Sequence, residues 1–337
     1  MTVKITKPAL NLREELADLR KPSGIAGEAV LRADSVQEQR DLIGAGRRNL
    51  LINGRGFIDQ RGLSGVSLNS GNYGLDRWYA GGGSITFTQL TGGGFKVART
   101  ASNSWTRIGQ KIEDCYNTIG TKPFTVSFDI KWNVHSGNEN SMVYFRWLQA
   151  DGTETGTSSS ADIDKVGVDG WEKFSATLTM PNDATNPKHL MVLIYGSRGT
   201  AAPWEFELDN VQLELGSVAT EFEHRSYGEE LALCQRYFQN VYNGQCFGSA
   251  NTTTRMRINA PLSPEMRTNP AVARVASTIS FQGMGVGVTS TDTAIAQASL
   301  SGTRYLGMDL GGFSGLTGRS YAGSHSRTLV FTADAEL

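Results

Sequence analysis

The sequence predicts a mainly β protein. An antiparallel jelly-roll β-sandwich is followed by a short linker helix and a smaller C-terminal β-sandwich domain, with a short helical segment ahead of them. Three observations predict this. Phe124, Val126, Phe128, Ile130 and Trp132 alternate strictly with Thr125, Ser127, Asp129 and Lys131, the period of a strand with one face buried. Glycines number 39 in 337 residues, well above ordinary usage, as a chain of short strands and many turns requires. Helical spacing is confined to the residues before Asn49 and to one stretch after Ser226.

Residues 1–48 are unlike the rest. NLREELADLR places Leu12, Leu16 and Leu19 on one helical face, with Pro22 just beyond, a stop signal. A second short helix is expected in DSVQEQRDLIGAG, where Ser35 and Glu38 form a capping box and Gly44 a C-terminal stop. Helices this short are marginal alone in water, so the segment needs a partner surface: copies of itself, another protein or the next domain.

Residues 49–222 read as the jelly roll. Strands begin at Ile85 and Phe87, at Phe95 and Val97, and at Ile108, Gln110 and Ile112, and others run through SMVYFRWLQ, EKFSATLTM, HLMVLIYG and WEFELDNVQLEL. GGG at 81–83 and 92–94, and DG at 151–152 and 169–170, supply the turns. The alternation in WEFELDNVQLEL changes phase near Asp209 and Asn210, which predicts a bulge. Residues 223–240 are the linker helix, expected from about Tyr227 to Gln239, with Tyr227, Leu231, Cys234, Tyr237 and Phe238 at helical spacing. Such a stripe can cap the sandwich or pack around a molecular axis. Residues 241–337 return to strands in TRMRINAPL, ARVASTISF, RYLGMDL and TLVFTADAEL. Little apolar content between them predicts a thin core that gains from association between subunits.

With 32 Lys and Arg against 33 Asp and Glu, the net charge is −1. No basic stripe interleaves with aromatics, so no nucleic-acid partner is expected. The longest apolar run, Leu190 to Tyr195, is too short to cross a bilayer, and no secretory signal is read at the N-terminus. Cys115, Cys234 and Cys246 are an odd count without metal-type spacing and read as reduced, partly buried thiols.

Taken together, RRNLLINGRGFIDQRG, LDRWY, GQKIED, KPFTVSFDIKW and FELDNVQLELGSVATEFEHRSYGEELALCQRYFQ resemble bacteriophage tail-fibre proteins that carry a carbohydrate-binding-module-like jelly roll. The N-terminal KPALNLREELADLRKPSGIAGEAVLRADSVQEQRDLIGAG looks like the attachment segment found ahead of such modules. The resemblance covers residues 1–240, and the C-terminal domain through its general character and its AEL ending. It implies a homotrimeric, non-enzymatic virion protein, synthesised in the host cytoplasm. Residues 1–48 would attach it to a tail or baseplate protein. It would recognise a host-surface glycan or outer-membrane receptor. The alternatives are a glycan-degrading tailspike-type enzyme and a soluble lectin-like carbohydrate-binding module.

Within that frame the candidate chemistry is binding. None of His135, His189, His224 and His325 sits in a nucleophile-elbow or zinc-helix setting, and His224 in EFEHRS reads as part of a salt-bridge cluster. Paired carboxylates across a cleft would be needed for glycoside cleavage, yet most Asp and Glu fall in turns or on solvent faces. Trp132 and Trp147 share faces with Phe128 and Phe145 and are assigned to the core. The opposite faces of those strands carry Asp129, Lys131, Tyr144 and Arg146, expected to line one polar groove, with Trp105 exposed beside Gln110. No catalytic residue, metal ligand or cofactor is assigned. A structural Ca²⁺ at Asp209 is disfavoured because NGRGFID lacks an acid directly after Phe57. Arg255, Arg257, Arg267, Arg304, Arg319 and Arg327 make the C-terminal domain the favoured receptor contact.

Overall fold

The computed structural model describes residues 48–99, 105–134, 140–163, 170–198, 203–276, 279–283, 286–290, 295–297, 302–313, 316, 320–323 and 328–337. The chain divides into two units, Met1–Arg48 and Asn49–Leu337. The helices expected before residue 48 lie outside the described residues, as do His135, His325, Arg319 and Arg327.

The first part of the larger unit holds β1 (Ser67–Leu68), β2 (Tyr79–Gly81), β3 (Ile85–Gln89), β4 (Phe95–Arg99) and β5 (Arg107–Ile112). A one-turn helix, α1 (Tyr116–Ile119), leads to β6 (Phe124–Val134), β7 (Asn140–Leu148) and β8 (Glu154–Asp162). Then come β9 (Glu172–Leu178), β10 (His189–Arg198) and β11 (Glu205–Leu215). They form a six-stranded sheet, ordered β1-β3-β4-β11-β6-β9, and a five-stranded sheet, ordered β2-β5-β10-β7-β8. All the pairings are antiparallel.

The alternation decides what lies between the sheets. Phe124 of β6 meets Phe145 of β7 edge-on at 4.9 Å, one contact that bridges the two layers. Trp132, Phe206 and Leu208 from one sheet and Ile108, Trp147 and Val192 from the other complete a single core. Each such ring removes a large apolar area from water. The phase change in β11 is real: its register against β6 shifts between Asp209 and Gln212, and Asn210 takes φ 53°, a left-handed conformation that Asn tolerates.

The linker helix, α2 (Tyr227–Gln235), is capped by Ser226, whose hydroxyl accepts from the Glu229 amide while the Glu229 carboxylate accepts from the Ser226 amide. It is shorter than the sequence spacing predicts. Phe238 leaves the helix because it opens β12 (Phe238–Tyr242), opposite Asp334. The helix packs Cys234 against Ile52 and Ile58, together with Tyr237, so it covers the sandwich's opening segment.

The C-terminal part continues with β13 (Phe247–Ala250), β14 (Met256–Pro261), β15 (Ala271–Arg274), β16 (Ile279–Gly283) and β17 (Val286–Ser290). It ends with β18 (Ile295–Gln297), β19 (Tyr305–Leu310), β20 (Ser320–Gly323) and β21 (Leu329–Asp334). A three-stranded sheet, β12-β21-β15, and a seven-stranded sheet, β17-β16-β20-β13-β14-β19-β18, enclose a second core of Met256, Ile258, Phe281, Met308 and Phe331.

A charged joint ties this part to the sandwich. Buried Arg77 pairs with Glu336, lies 3.5 Å over the Tyr237 ring, and donates to the Lys111 carbonyl. Burial is the largest influence and works against the Arg77 charge, but Glu336 together with Tyr237, Tyr73 and Cys234 outweighs it and raises the pKa, holding the guanidinium protonated. Arg61 pairs with Asp334 at 3.2 Å and lies 3.9 Å over Phe238. Arg267, expected on a receptor surface, instead donates to the Ala335 and Glu336 carbonyls at 2.9 and 3.2 Å. Arg257 is paired with Asp309 at 3.0 Å and Arg304 with Glu265 at 2.8 Å.

Candidate functional site

The outer face of the five-stranded sheet departs from the ordinary sandwich rule. A half-exposed antiparallel sheet turns apolar residues in and polar residues out. In β10 both sets are apolar: Leu190, Val192 and Ile194 enter the core, while Met191, Leu193 and Tyr195 join a separate cluster with Tyr79, Met142 and Leu148. Tyr73 and Tyr144 pack against that cluster, half-buried.

Register explains the arrangement. Leu193 lies between Gly109 of β5 and Tyr144 of β7. A Cβ on Gly109 would meet the Val192 carbonyl at 2.5 Å and Leu193 at 2.7 Å, so only glycine lets the face sit this low. Tyr195 is flanked by Arg107 and Met142, and Met191 by Lys111 and Arg146. Cations therefore cover the rings: Lys111 lies 5.7 Å over Tyr79, Arg107 5.7 Å over Tyr195 and Arg146 5.2 Å over Tyr144, within range of the ring quadrupole. Tyr73 meets Tyr79 at 5.8 Å and Tyr144 meets Tyr195 edge-on at 6.1 Å. Arg146 pairs with Glu154 and donates to the Tyr144 hydroxyl at 2.9 Å. Burial lowers the Lys111 pKa, and its ammonium donates to the Leu337 oxygen at 2.6 Å. Above this buried apolar layer the part-exposed rings of Tyr73 and Tyr144 stand among the donors of Arg107, Lys111 and Arg146, an arrangement of ring edges and polar groups that a sugar can contact.

Of the residues expected to bind, Tyr144 and Arg146 are on this face, and half-exposed Trp105 precedes β5 on the same sheet. Gln110 does not stand beside it on the surface. It points inward, 1% exposed, and closes the loop at Ile52 by accepting from its amide at 3.0 Å and donating to its carbonyl at 2.5 Å. Asp129 and Lys131 are on the six-stranded sheet, so the expected four-residue groove does not form. Strands β6 and β7 follow one another in sequence but face each other across the core. On the other outer face, Lys131 pairs with Glu207 at 3.7 Å, and Asp129 accepts from the Asn210 amide group at 2.7 Å. Sequence reading missed Tyr73, Tyr79, Tyr195, Arg107 and Lys111. The available signal was HLMVLIYG, apolar on both parities.

The remaining chemistry is structural. His189 is buried, its pKa lowered by desolvation, and its Nδ1 accepts from the Asp114 amide at 3.0 Å. Asp209 is clamped by Arg55 at 2.9 and 3.0 Å. All three cysteines are free and buried, and burial pushes the Cys115 and Cys246 thiols up to about 12, away from thiolate chemistry. Among the described residues no three His, Cys, Asp or Glu cluster as a metal site would, and no helix is long and apolar enough to cross a membrane.

No family model matches this sequence, and no curated protein matches it. Among solved structures, the chain is similar to the enzymatically active domain of bacteriophage CBA120 tailspike protein 4. That match has a TM-score of 0.31 and 15% identity, covering 46% of this chain and 22% of that one. It is also similar to a family 4 carbohydrate-binding module, with a TM-score of 0.31 and 15% identity over 49% of this chain and 98% of the other. A family 22 module from Xyn10B of Clostridium thermocellum gives a TM-score of 0.32 and 16% identity over 50% of this chain and 98% of that one.

Proposed function

We propose that this protein is a non-enzymatic host-recognition component of a phage tail fibre. It acts as a homotrimer and binds a surface glycan through the outer face of the five-stranded sheet. The observation that carries the reading is the Tyr79–Leu193–Tyr195–Tyr144 cluster with Arg107, Lys111 and Arg146 over its rings. The floor is buried, and Tyr73 and Tyr144 stay part-exposed above it, within reach of a ligand. The resemblance of residues 1–240 to tail-fibre sequences supplies the biological setting, with residues 1–48 as the attachment segment. Three modest sites per fibre would give avidity without one tight site.

The test is a glycan array with the purified chain, joined to competition for phage adsorption on host cells. Binding that Tyr144→Ala and Arg146→Ala weaken supports the proposal. An array with no hit, or hits indifferent to those changes, overturns the assigned face. Sedimentation distinguishes trimer from monomer, and release of reducing ends from capsule would overturn the non-enzymatic reading.

A further inference from the structure

A cleft of about 270 Å³ lies between the opening turn of the sandwich and the start of α2, lined by Phe57, Phe222, His224 and Tyr227 over Arg55 and Glu230. Phe57 and Tyr227 are 43% and 63% exposed, and Phe222 and His224 meet edge-on at 5.1 Å. Its floor is fixed. Asn53 holds φ 58°, a left-handed conformation that Asn tolerates. Its side chain donates to the Ile58 and Asp76 carbonyls at 2.9 Å each.

Every charge around the cleft already has a partner. Arg55 holds Asp209 and lies 4.6 Å over Phe57. Arg225 binds Glu223 at 2.6 Å and Glu230 at 3.3 Å. By contrast, the His224 imidazole and the Tyr227 hydroxyl make no hydrogen bond among the described residues. A charged ligand would have to break an existing pair, and a long polymer would exceed the volume. Ring faces beside two open polar groups fit a small neutral ring with one apolar face and a hydroxyl edge.

We propose that this cleft is a saccharide site that takes one neutral pyranose residue. It shares no residue with the five-stranded sheet face, so either site can fail without the other.

The test titrates the full chain with the methyl glycosides of glucose, galactose, mannose and N-acetylglucosamine, and with p-cresol as a mimic of a protein aromatic side chain. The His224 ring resonances, assigned with His224→Gln, are followed by NMR. The expected result is a saturable shift with at least one glycoside, at a Kd of about 1 mM. Phe57→Ala and Tyr227→Ala should each weaken it about tenfold, while Tyr144→Ala leaves it unchanged. Both changed rings are exposed, so folding is not at stake. Three results would overturn the proposal: no saturable shift up to about 50 mM, a shift with p-cresol alone, or indifference to both alanine variants.

Discussion

On the six-stranded sheet the outward layer is carried by Lys96, Lys131, Glu205 and Glu207, paired at 3.4 and 3.7 Å and tied further by Asn133. On the five-stranded sheet the same position is held by Leu193, Met191, Tyr79 and Tyr195, each no more than 7% exposed. Both sheets rest on one core and need equal solubility. The charge ladder meets that need by the ordinary route, whereas the tyrosine face conceals an apolar surface beneath long cationic side chains. Packing thus explains the inner layers alike, and the outer asymmetry is what the proposed glycan site would use.

The largest expected effect comes from Leu193→Asp. A carboxylate at this 1% exposed position must be desolvated, and the nearby Arg107, Lys111 and Arg146 are already engaged with the tyrosine rings, Leu337 and Glu154. We therefore expect a loss on the order of 3 kcal/mol or more in urea unfolding. A change under 1 kcal/mol would show that this face is open to water.

Next comes the edge where the five-stranded side meets the joint. Buried Asp76 accepts from the Gln60 amide at 2.9 Å, and burial raises its pKa from 3.8 to about 6. In the folded state the proton is held more tightly than in the unfolded chain. Its contribution to stability is therefore full below about pH 4 and is lost as pH rises to about 6, by roughly 3 kcal/mol at most. Asp76→Asn should remove this slope. Parallel stability curves for wild type and variant between pH 4 and 6 would refute the assignment.

Smaller, and read in binding rather than stability, is Tyr144→Ala. Glycan affinity should fall about tenfold, with stability changing by less than about 1 kcal/mol. The equivalent change on the other face, Asp129→Ala, should leave affinity unaltered. If Asp129→Ala weakens binding as much, the two faces have been assigned the wrong way round. Least of all, Lys131→Ala should shift stability by no more than about 0.5 kcal/mol, since partly exposed pairs contribute little. A loss beyond 1 kcal/mol would show that the ladder is structural.

The fold was legible wherever one face of a strand was polar. β10 and β19 were read as apolar runs, whereas β3, β4, β5, β6 and β11 were read from alternation, and so was the bulge at Asp209. β8 was not, because its GTSSSAD run carries no apolar period and is held by pairing with β7 from Met142 to Leu148. β2 is too short to show a period, and the start of β12 was hidden because Phe238 and Gln239 continue the helical spacing of the linker. Gln110 shares the parity of buried Ile108 and Ile112 and so faces inward, while Asp129 and Lys131 were misplaced for a different reason. Alternation says which side of a strand a residue faces, but not which sheet the strand enters. Sheet membership is set by long-range pairing: β6 joins β9 and β11, while β7 joins β8 and β10. Tyr73 and Arg107 lie outside any apolar stripe and became visible only through the register.

Tyr73 and Lys111 each belong to two structures at once. Through their outer ends both reach the Leu337 oxygen, at 3.2 and 2.6 Å. Both also meet Tyr79, Tyr73 through its ring and Lys111 through the same ammonium, 5.7 Å over the Tyr79 ring. Any tilt of the C-terminal strands would drag these two side chains across the tyrosine floor. Tension along the molecule would then change the shape of that floor, and with it the fit of the proposed glycan.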